Sequence, residues 1–248
     1  MFQFFVEPNQ INIDTKTVVI TGSDVNHIKN VLRMKMGEQV AVCNGVDGKE
    51  YHCAITGMDE SSVVLNLLEV VEDGSELPAQ VVIFQGLPKA DKMELIIQKN
   101  VELGVHSIVP MATKRCVVKL DDKKAGAKIT RWQGIAEAAA KQSKRGIIPQ
   151  IGNVMTFKQA LSYVQDFDIK LIPYEHAEDI NKTREILQAA KSGQRIAVFI
   201  GPEGGFEEAE VQQALDMGVM PITLGKRILR TETAGFTIMS WLMYLLEI

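Results

Sequence analysis

Cysteine pairs, histidine clusters and long apolar runs are all missing from this sequence. Three cysteines and four histidines are scattered over 248 residues, and no two cysteines have the C-x-x-C spacing. The small, odd number of cysteines argues against a disulfide framework and favours a reducing cytoplasm, and the scattered histidines predict no metal site. No segment approaches the ~20 apolar residues of a membrane span, and the first residues lack the features of a signal peptide. We therefore expect a cytoplasmic protein that uses neither a membrane nor a metal.

Three common active-site motifs are also missing. The sequence contains no G-x-G-x-x-G, no G-x-x-x-x-G-K-[ST] and no G-x-S-x-G. Their absence argues against a dinucleotide-binding domain, a nucleoside triphosphate site and an α/β-hydrolase. An apolar fraction of 46% and a charged fraction of 23% are those of an ordinary globular protein with one large or two small domains.

Charge is distributed unevenly along the chain. The net charge is −4, but residues 114–145 contain ten basic and three acidic residues, a local charge of +7 that leaves −11 for the remainder. A cationic patch on an acidic protein is a candidate surface for a phosphate backbone. A solvated lysine-rich loop would have the same composition, so both interpretations stay open.

The chain has two parts with different periodicities. Residues 1–72 contain short runs of β-branched and aromatic residues and one helix after Ser23, which predicts a small barrel of five or six strands. The polar segment 72–78, with its glycine and proline, marks a boundary. Beyond it strand and helix patterns alternate, which predicts a parallel sheet covered on both faces by helices.

Element boundaries follow from these patterns. The helix of the first part is expected to bury Ile28, Val31 and Leu32 on one face. The predicted strands of the first part are 2–6, 17–21, 39–43, 51–57 and 63–70. The predicted strands of the second part are 80–85, 107–111, 169–173, 196–200 and 220–224. The predicted helices of the second part are 92–103, 130–145, 157–164, 180–191, 207–217 and 233–247.

Two glycine-rich loops near the C-terminus each follow a predicted strand. Gly201-Pro-Glu-Gly-Gly205 follows the first strand, and the segment 224–235 follows the second. A strand, a glycine turn and a helix start present backbone N–H groups to a ligand, and the carboxyl ends of parallel strands share one edge of a sheet. These loops and residues 173–175 are therefore expected to converge on one binding site. For either loop alone, a tight turn without a ligand is the alternative.

Gln142 and Arg145 lie three residues apart at the end of the predicted helix 130–145 and share one of its faces. Together they could hydrogen-bond a base edge and a phosphate or carbonyl oxygen. Basic residues also favour a helix C-terminus on electrostatic grounds alone. A structural role is therefore equally open.

The glycine segments carry a resemblance to a known family. Gly201-Pro-Glu-Gly-Gly205 and Leu224-Gly-x-x-Ile-Leu-Arg-Thr-Glu-Thr-Ala234 are similar to motifs of the SPOUT superfamily of RNA methyltransferases. More closely, the chain resembles the bacterial family that methylates N3 of one uridine in the decoding region of 16S ribosomal RNA (the ribosomal RNA small subunit methyltransferase E family). Further similar segments extend over almost the whole chain: His27-x-x-x-Val31-Leu32-Arg33-Met34, Lys92-Met-Glu94, Gln98-Lys99, Glu102-Leu-Gly104 and Lys141-Gln-Ser-x-Arg145.

The resemblance implies a PUA-like β-barrel RNA-binding domain over residues 1–72 and a SPOUT α/β domain with a trefoil knot over residues 78–248. It also implies a homodimer, S-adenosyl-L-methionine as methyl donor, and 16S rRNA, in the 30S subunit or its precursor, as partner. Cofactor-binding residues are carried over onto the loops of the knot. They are Ile172, Pro173, Tyr174, Glu175, Ile200, Gly201, Pro202, Glu203, Gly204, Gly205, Leu224, Gly225, Ile228, Leu229, Arg230, Thr231, Thr233 and Ala234.

The implied reaction requires alignment of donor and acceptor and loss of the weakly acidic imide proton of N3. Arg145 and Arg230 are the predicted catalytic residues that stabilise charge on the base oxygens, with Gln142 orienting the base edge. No side chain is an obvious proton acceptor; Glu232 is the nearest candidate by motif, and it could equally fix the loop by pairing with Arg227 or Arg230. RNA contacts are predicted for six basic residues, and for the first three a solvated helix face is the favoured alternative: His27, Lys29, Arg33, Lys114, Arg115 and Arg131.

Two positions depart from the family pattern. Gln3 stands near the place of a usual N-terminal arginine, which puts one RNA contact in question, and Lys141 stands where many relatives have a glutamate. Three other functions stay open: a non-catalytic ribosome-assembly factor, a small-molecule α/β enzyme with a phosphate at residues 201–205, and a SPOUT enzyme acting on another RNA. The missing phosphate-binding motifs and the basic segment argue against the small-molecule enzyme.

Overall fold

The computed structural model describes residues 1–72, 74–177 and 179–247 and divides into two compact units. The first unit comprises Met1–Glu76 together with Ala140–Ile148, and the second comprises Leu77–Ala139 and Pro149–Ile248. The chain passes from one unit to the other within the predicted boundary segment 72–78, of which Asp73 lies outside the described residues. The two units are not two consecutive stretches of sequence, because residues 140–148 group with the first unit although they lie within the sequence range of the second.

The first unit is built on a six-stranded mixed sheet. Its order is β1-β4-β5-β6-β3-β2, with β1 parallel to β4 and the other pairs antiparallel. Val18 and Ile20 point inward from one strand, and Val63 and Leu65 from its neighbour, so the period-two alternation buries one face. All five predicted strands are confirmed. The strands are β1 (Phe2–Phe5), β2 (Ile11–Asn12), β3 (Thr17–Thr21), β4 (Gln39–Cys43), β5 (Lys49–Met58) and β6 (Ser62–Glu72).

The helix of the first unit is less regular than predicted. An α-helical turn, α1 (Ser23–Asn26), continues into a π-helical turn at His27–Val31, where the Leu32 amide donates to the His27 carbonyl five residues back. Ile28 is fully buried, but Val31 is 66% exposed, so its predicted burial is wrong. The wider π turn rotates Val31 off the face that a regular helix would bury.

The second unit contains a seven-stranded parallel sheet, which confirms the predicted sheet type. Its order is β10-β8-β7-β12-β11-β13, and β9 also pairs with β8. The two-residue strands β9 and β10 were too short for sequence periodicity to indicate. The strands are β7 (Gln80–Gly86), β8 (Ser107–Ala112), β9 (Gln150–Ile151), β10 (Met155–Thr156), β11 (Ile169–Pro173), β12 (Arg195–Ile200) and β13 (Met220–Ile222).

Within the described ranges, the six predicted helices of this unit are all present. The largest difference is at α3, which begins at Asp122 rather than Thr130 because its first two turns are polar and carry no apolar stripe. The helices are α2 (Lys92–Glu102), α3 (Asp122–Gln142), α4 (Phe157–Tyr163), α5 (Ile180–Gln188), α6 (Glu208–Asp216) and α7 (Thr231–Glu247). Within the described ranges, none of the helices is long and apolar enough to cross a membrane.

The core of the second unit fixes the strands that carry the glycine loops. Phe84 of β7 stacks on Phe199 of β12 with ring centroids 4.9 Å apart, and Phe206 packs in the same cluster. Strands β12, β11 and β13 are neighbours and run parallel, so their carboxyl ends lie side by side. The segments that follow these three strands therefore begin at one edge of the sheet.

Candidate functional site

A cavity of about 600 Å³ opens at the carboxyl ends of β11, β12 and β13. Its wall combines backbone of the glycine loops, apolar side chains and several charged side chains. The lining residues are Lys92, Pro173, Tyr174, Glu175, residues 200–206, residues 223–231 and Ala234. The predicted convergence of the three segments on one site is confirmed.

Most residues predicted to hold the cofactor line this cavity, but two do not. Ile172 is fully buried in the hydrophobic core, and Thr233 is exposed in the first turn of α7. Periodicity gave no sign that Lys92 reaches the cavity, although the resemblance included the segment that begins at this residue. Phe206, Thr223, Lys226 and Arg227 were also missed, as members of the same loops whose side-chain directions the motifs do not specify.

Glycines allow the first loop to fold tightly against β7. The Gly205 amide donates to the Pro202 carbonyl at 2.9 Å, and Gly205 has φ +67°, which a residue with a Cβ rarely adopts. A Cβ on Gly86, at the end of β7, would lie 2.6 Å from the backbone nitrogen of Pro202. The loop and the strand therefore approach each other more closely than any other residue type at position 86 would allow.

A buried hydrogen-bond chain joins the two glycine loops. The Gln85 amide nitrogen donates to Thr231 Oγ1 at 2.9 Å, and the Thr231 hydroxyl donates to the Gly201 carbonyl at 2.6 Å. Gln85 is fully buried and Thr231 nearly so. Buried polar groups are costly without partners, so this chain fixes the start of α7 against the end of β12.

Three charged side chains form a cluster, and two of them, Lys92 and Glu203, line the cavity. Lys92 Nζ lies 3.1 Å from Glu203 Oε1 and 3.6 Å from Glu232 Oε2. The Lys89 amide also donates to Glu203 Oε1, at 3.0 Å. Burial raises the pKa of Glu203, but hydrogen bonds from the Glu203 and Lys89 amides and from Lys92, with the charge of Lys92, outweigh it and lower the pKa overall. Glu203 is therefore held as a carboxylate.

The turn after β8 braces the first glycine loop. Arg115 donates from its guanidinium to the Gly204 carbonyl at 2.9 Å. Glu210 accepts from the Lys114 amide at 2.9 Å and from the Glu207 amide at 3.0 Å, which caps α6 at the same time. Of the basic residues predicted to contact RNA, Arg115 thus also supports the cavity wall, and Arg131 pairs with a carboxylate 2.6 Å away on Glu94.

The predicted catalytic residue Arg145 belongs to the first unit and is only 2% exposed. Its guanidinium pairs with the Glu76 carboxylate through Nε at 3.1 Å and through a second, shorter contact, and the Ile147 amide donates to the same carboxylate. Gln3 donates from its side-chain amide to the Arg145 carbonyl at 3.0 Å. The residue that departs from the family pattern therefore supports the segment that carries Arg145, whereas Gln142 is exposed.

The basic residues predicted near α1 differ in their surroundings. His27 meets the ring of Phe4 edge-on at 6.3 Å, and Lys29 donates to the Asp59 carbonyl. Arg33 adopts φ +54°, which ends the helical turn. Among the residues that the structure describes, no group of three or more His, Cys, Asp or Glu side chains could hold a metal ion.

Comparisons with known proteins agree over nearly the whole chain. The family model described as RNA methyltransferase domain matches residues 75–243, and the model described as RNA methyltransferase PUA domain matches residues 20–68. Ribosomal RNA small subunit methyltransferase E of Bacillus subtilis (strain 168) is 40% identical over 252 residues, which cover 100% of this chain and 98% of that protein.

Solved structures give the same result. The crystal structure of ribosomal RNA small subunit methyltransferase E from Neisseria gonorrhoeae, bound to S-adenosyl methionine, matches with a TM-score of 0.83 at 30% identity, over 99% of this chain and 98% of that chain. A Legionella pneumophila protein in complex with the cofactor SAM matches with a TM-score of 0.81 at 30% identity, over 98% and 97%. This chain belongs to the ribosomal RNA small subunit methyltransferase E family, with an RNA methyltransferase domain that follows a PUA domain.

Proposed function

We propose that this protein transfers a methyl group from S-adenosyl-L-methionine to N3 of one uridine in the decoding region of 16S rRNA. The observation that carries the proposal is the cavity at the ends of β11, β12 and β13, whose wall consists of the segments on which the family resemblance rests. Membership of the family supports the reaction class and the ribosomal RNA substrate.

The residues of the cavity fit the proposed cofactor. A volume of about 600 Å³ lies within the ~300–1,000 Å³ typical of small-ligand sites. Backbone of Gly201, Gly204 and Gly225 lines the wall, so adenine and the methionyl group would be recognised by amides and carbonyls. Glu175 and Glu203 supply anionic side chains and Lys92 supplies a cationic one. When bound, the cofactor supplies a methyl group already activated on a sulfonium.

The chain's own residues would then align the base and manage charge. Arg230 lies on the cavity wall and is the proposed partner of a base oxygen, and Arg145 and Gln142 are further candidates carried over from the family motif. Glu232 is the candidate proton acceptor, but its Oε2 is enclosed and lies beside Lys92. Opening of the Arg145–Glu76 pair would be required before Arg145 could contact a base.

RNA binding is proposed for basic residues in both units. Lys114, Arg115 and Arg131 belong to the basic segment of the second unit, and Lys29 and Arg33 lie in the PUA-type unit, with His27 in the same helical turn. Such groups would hold the RNA around a uridine that has left its stack. By family resemblance we also propose a trefoil knot in residues 78–248, a homodimer, a 30S subunit or precursor as substrate, and a cytoplasmic location.

The test combines binding and product mapping. Isothermal titration calorimetry with S-adenosyl-L-methionine is expected to show a saturable site, and methyl transfer to 16S rRNA is expected to give 3-methyluridine at one position, read by mass spectrometry of nuclease fragments. Binding without transfer to any ribosomal RNA would indicate an assembly factor. Transfer to another base, to a ribose or to transfer RNA would replace the proposed substrate.

The basic surface is tested separately by salt dependence. Replacement of Lys114 and Arg131 together by glutamine is expected to lower the slope of log affinity for RNA against log salt by about 1 to 2. Lys16→Gln in the first unit, which is not among the residues proposed to bind RNA, is the matched control. An unchanged slope in the double variant would remove these two residues from the RNA surface.

A further inference from the structure

Lys92 has an unusual position for a basic residue. It is the first residue of α2, where the helix dipole disfavours a cation. Glu203 and Glu232 offset this by bringing two carboxylates within 4 Å of its ammonium. The side chain is nevertheless 30% exposed and lines the cavity. The sequence thus places a positive charge where secondary structure opposes it, and tertiary structure stabilises that charge on the cavity wall.

The ammonium has donor capacity left for a ligand. A lysine ammonium carries three N–H groups, and its contacts with Glu203 Oε1 and Glu232 Oε2 engage at most two of them. The contact with Glu203 is a hydrogen-bond distance, whereas 3.6 Å to Glu232 stabilises charge without a good hydrogen bond. At least one N–H is therefore available toward the cavity.

Glu232 pairs with Lys92 but does not line the cavity. Its side chain is 14% exposed, and its Oε2 is fully enclosed with no hydrogen-bond partner among the described residues. The lining of the cavity includes Lys92 and Glu203 but not Glu232. The Glu232 carboxylate instead lies 3.6 Å from the ammonium of Lys92.

We propose that Lys92 is a catalytic residue whose ammonium donates to a carbonyl oxygen of the acceptor base and stabilises the negative charge that develops there as N3 is methylated. This inference rests on the proposed function and names the acceptor as a uracil-type imide. The N3–H bond breaks and its proton passes to water, the N3 electron pair forms the N–C bond, and the C–S pair returns to sulfur. Lys92 keeps its own protons throughout, and Glu232 positions it.

The charged groups around this cluster come from three elements. Lys92 comes from α2, Glu203 from the loop after β12, and Glu232 from α7, with Arg230 just before that helix. A cation fixed between two anions is preorganised, and donors of this kind are worth more in the transition state than in the ground state.

The test compares Lys92→Met with Lys92→Arg. We expect Lys92→Met to lower kcat at least about 100-fold, with the Kd for S-adenosyl-L-methionine changed less than threefold. Lys92→Arg keeps the cation and should retain activity within about tenfold. Lys158→Met, at an exposed lysine of α4 in the same unit that does not line the cavity, is the matched control and should behave as wild type. Circular dichroism melting of each variant checks that it is folded.

A second comparison assigns Glu232. We expect Glu232→Gln to lower kcat about tenfold, and the double variant with Lys92→Met to be no slower than Lys92→Met alone, because both act through one ammonium. A Glu232→Gln variant that is inactive near neutral pH and recovers tenfold for each added pH unit would make Glu232 the proton acceptor and overturn the positioning role.

Failure of this inference is distinguishable from failure of the proposed function. Wild-type protein that makes no 3-methyluridine would refute the proposed function and the inference with it. Wild-type protein that makes it, together with a Lys92→Met variant of unchanged kcat, would refute the inference alone. A Lys92→Met variant that loses cofactor affinity but keeps kcat would make Lys92 a cofactor-binding residue and would also overturn the inference.

Discussion

The two units each hold a cation against carboxylate, but in opposite ways. In the first unit Arg145 is 2% exposed, and Glu76 takes hydrogen bonds from its guanidinium and from the Ile147 amide. In the second unit Lys92 is 30% exposed on a cavity wall, between two carboxylates that come from different elements. One cation is enclosed with its partner, and the other keeps an open side.

The two cations differ in whether they can still donate to a ligand. A buried charge needs its partner, because a charge left alone in the interior is strongly destabilising. A partly exposed cation that anions hold in place keeps donors for a ligand. Both residues are members of segments that resemble the family's motifs, so the sequence presents them as equals. Only the surroundings of each residue in the folded protein distinguish them.

Removal of the Glu76 carboxylate is expected to cause the largest loss of stability. Glu76→Gln removes the carboxylate that accepts hydrogen bonds from the buried Arg145 guanidinium, and we expect the free energy of unfolding to fall by about 3 kcal/mol. Urea unfolding followed by circular dichroism measures it. Asp24→Asn, which neutralises the looser 4.0 Å pair with Lys141 in the same unit, should change stability by less than about 0.5 kcal/mol. Equal stability of the two variants would show that the enclosed pair is not structural.

Removal of both charges then separates stability from chemistry. Glu76→Gln with Arg145→Met removes both charges of the pair, and we expect the unfolding free energy to return to within about 1 kcal/mol of wild type. Methyl transfer by this folded variant tests the proposed catalytic role of Arg145, which requires a fall of at least about 100-fold. Unchanged transfer would leave Arg145 as a structural residue and Lys92 as the relevant cation.

On the cavity side, Gly86→Ala tests how closely β7 and the glycine loop must approach. Its Cβ would meet Pro202 backbone at 2.6 Å, so we expect a loss of about 2 kcal/mol in the free energy of unfolding and at least tenfold weaker cofactor binding. Gly134→Ala in α3, exposed and with no atom within 4 Å of its added Cβ, should instead stabilise by about 0.5–1 kcal/mol. Similar behaviour of the two alanine variants would contradict the close approach.

Thr231→Val tests the buried chain between the loops. The variant keeps the shape but removes the hydroxyl that joins Gln85 to the Gly201 carbonyl, and we expect a loss of about 1.5 kcal/mol in unfolding experiments. Thr237→Val, whose hydroxyl bonds only within the same helix at Thr233, should cost less than about 0.5 kcal/mol. A smaller loss for Thr231 than for Thr237 would exclude the chain as a support of the cavity.

The smallest effect is expected on the pH dependence of stability, from the exposed carboxylate of Asp59 in the first unit. Hydrogen bonds from the Ser61 amide, the Ser62 hydroxyl and amide, and the Ser61 hydroxyl lower the pKa of Asp59 to about 2. Because the folded pKa of Asp59 lies below its unfolded value of about 3.9, the stabilisation from these hydrogen bonds is complete above pH ~4. It is lost as the pH falls toward 2. NMR titration of the two serine amides should show a midpoint near pH 2, and a midpoint near 4 would contradict the hydrogen bonds.

The sequence alone determined the longer strands and the helices of the second unit, and the convergence of the glycine loops. Strand periodicity and β-branched content identified ten strands, and parallel strands share an edge, so the loops after 169–173, 196–200 and 220–224 had to meet. The π turn at His27–Val31 and the polar start of α3 escaped prediction, because neither follows the apolar period of an α-helix.

Tertiary structure alone decided which charges are partners. Glu76 is 69 residues from Arg145, and Lys92 meets carboxylates on the loop after β12 and on α7, so no local pattern indicates either pairing. Residues 140–148 likewise continue a helix of the second unit in sequence but group with the first in space. Hydrophobic periodicity is a short-range signal, whereas the burial and pairing of a charge depend on every element that folds around it.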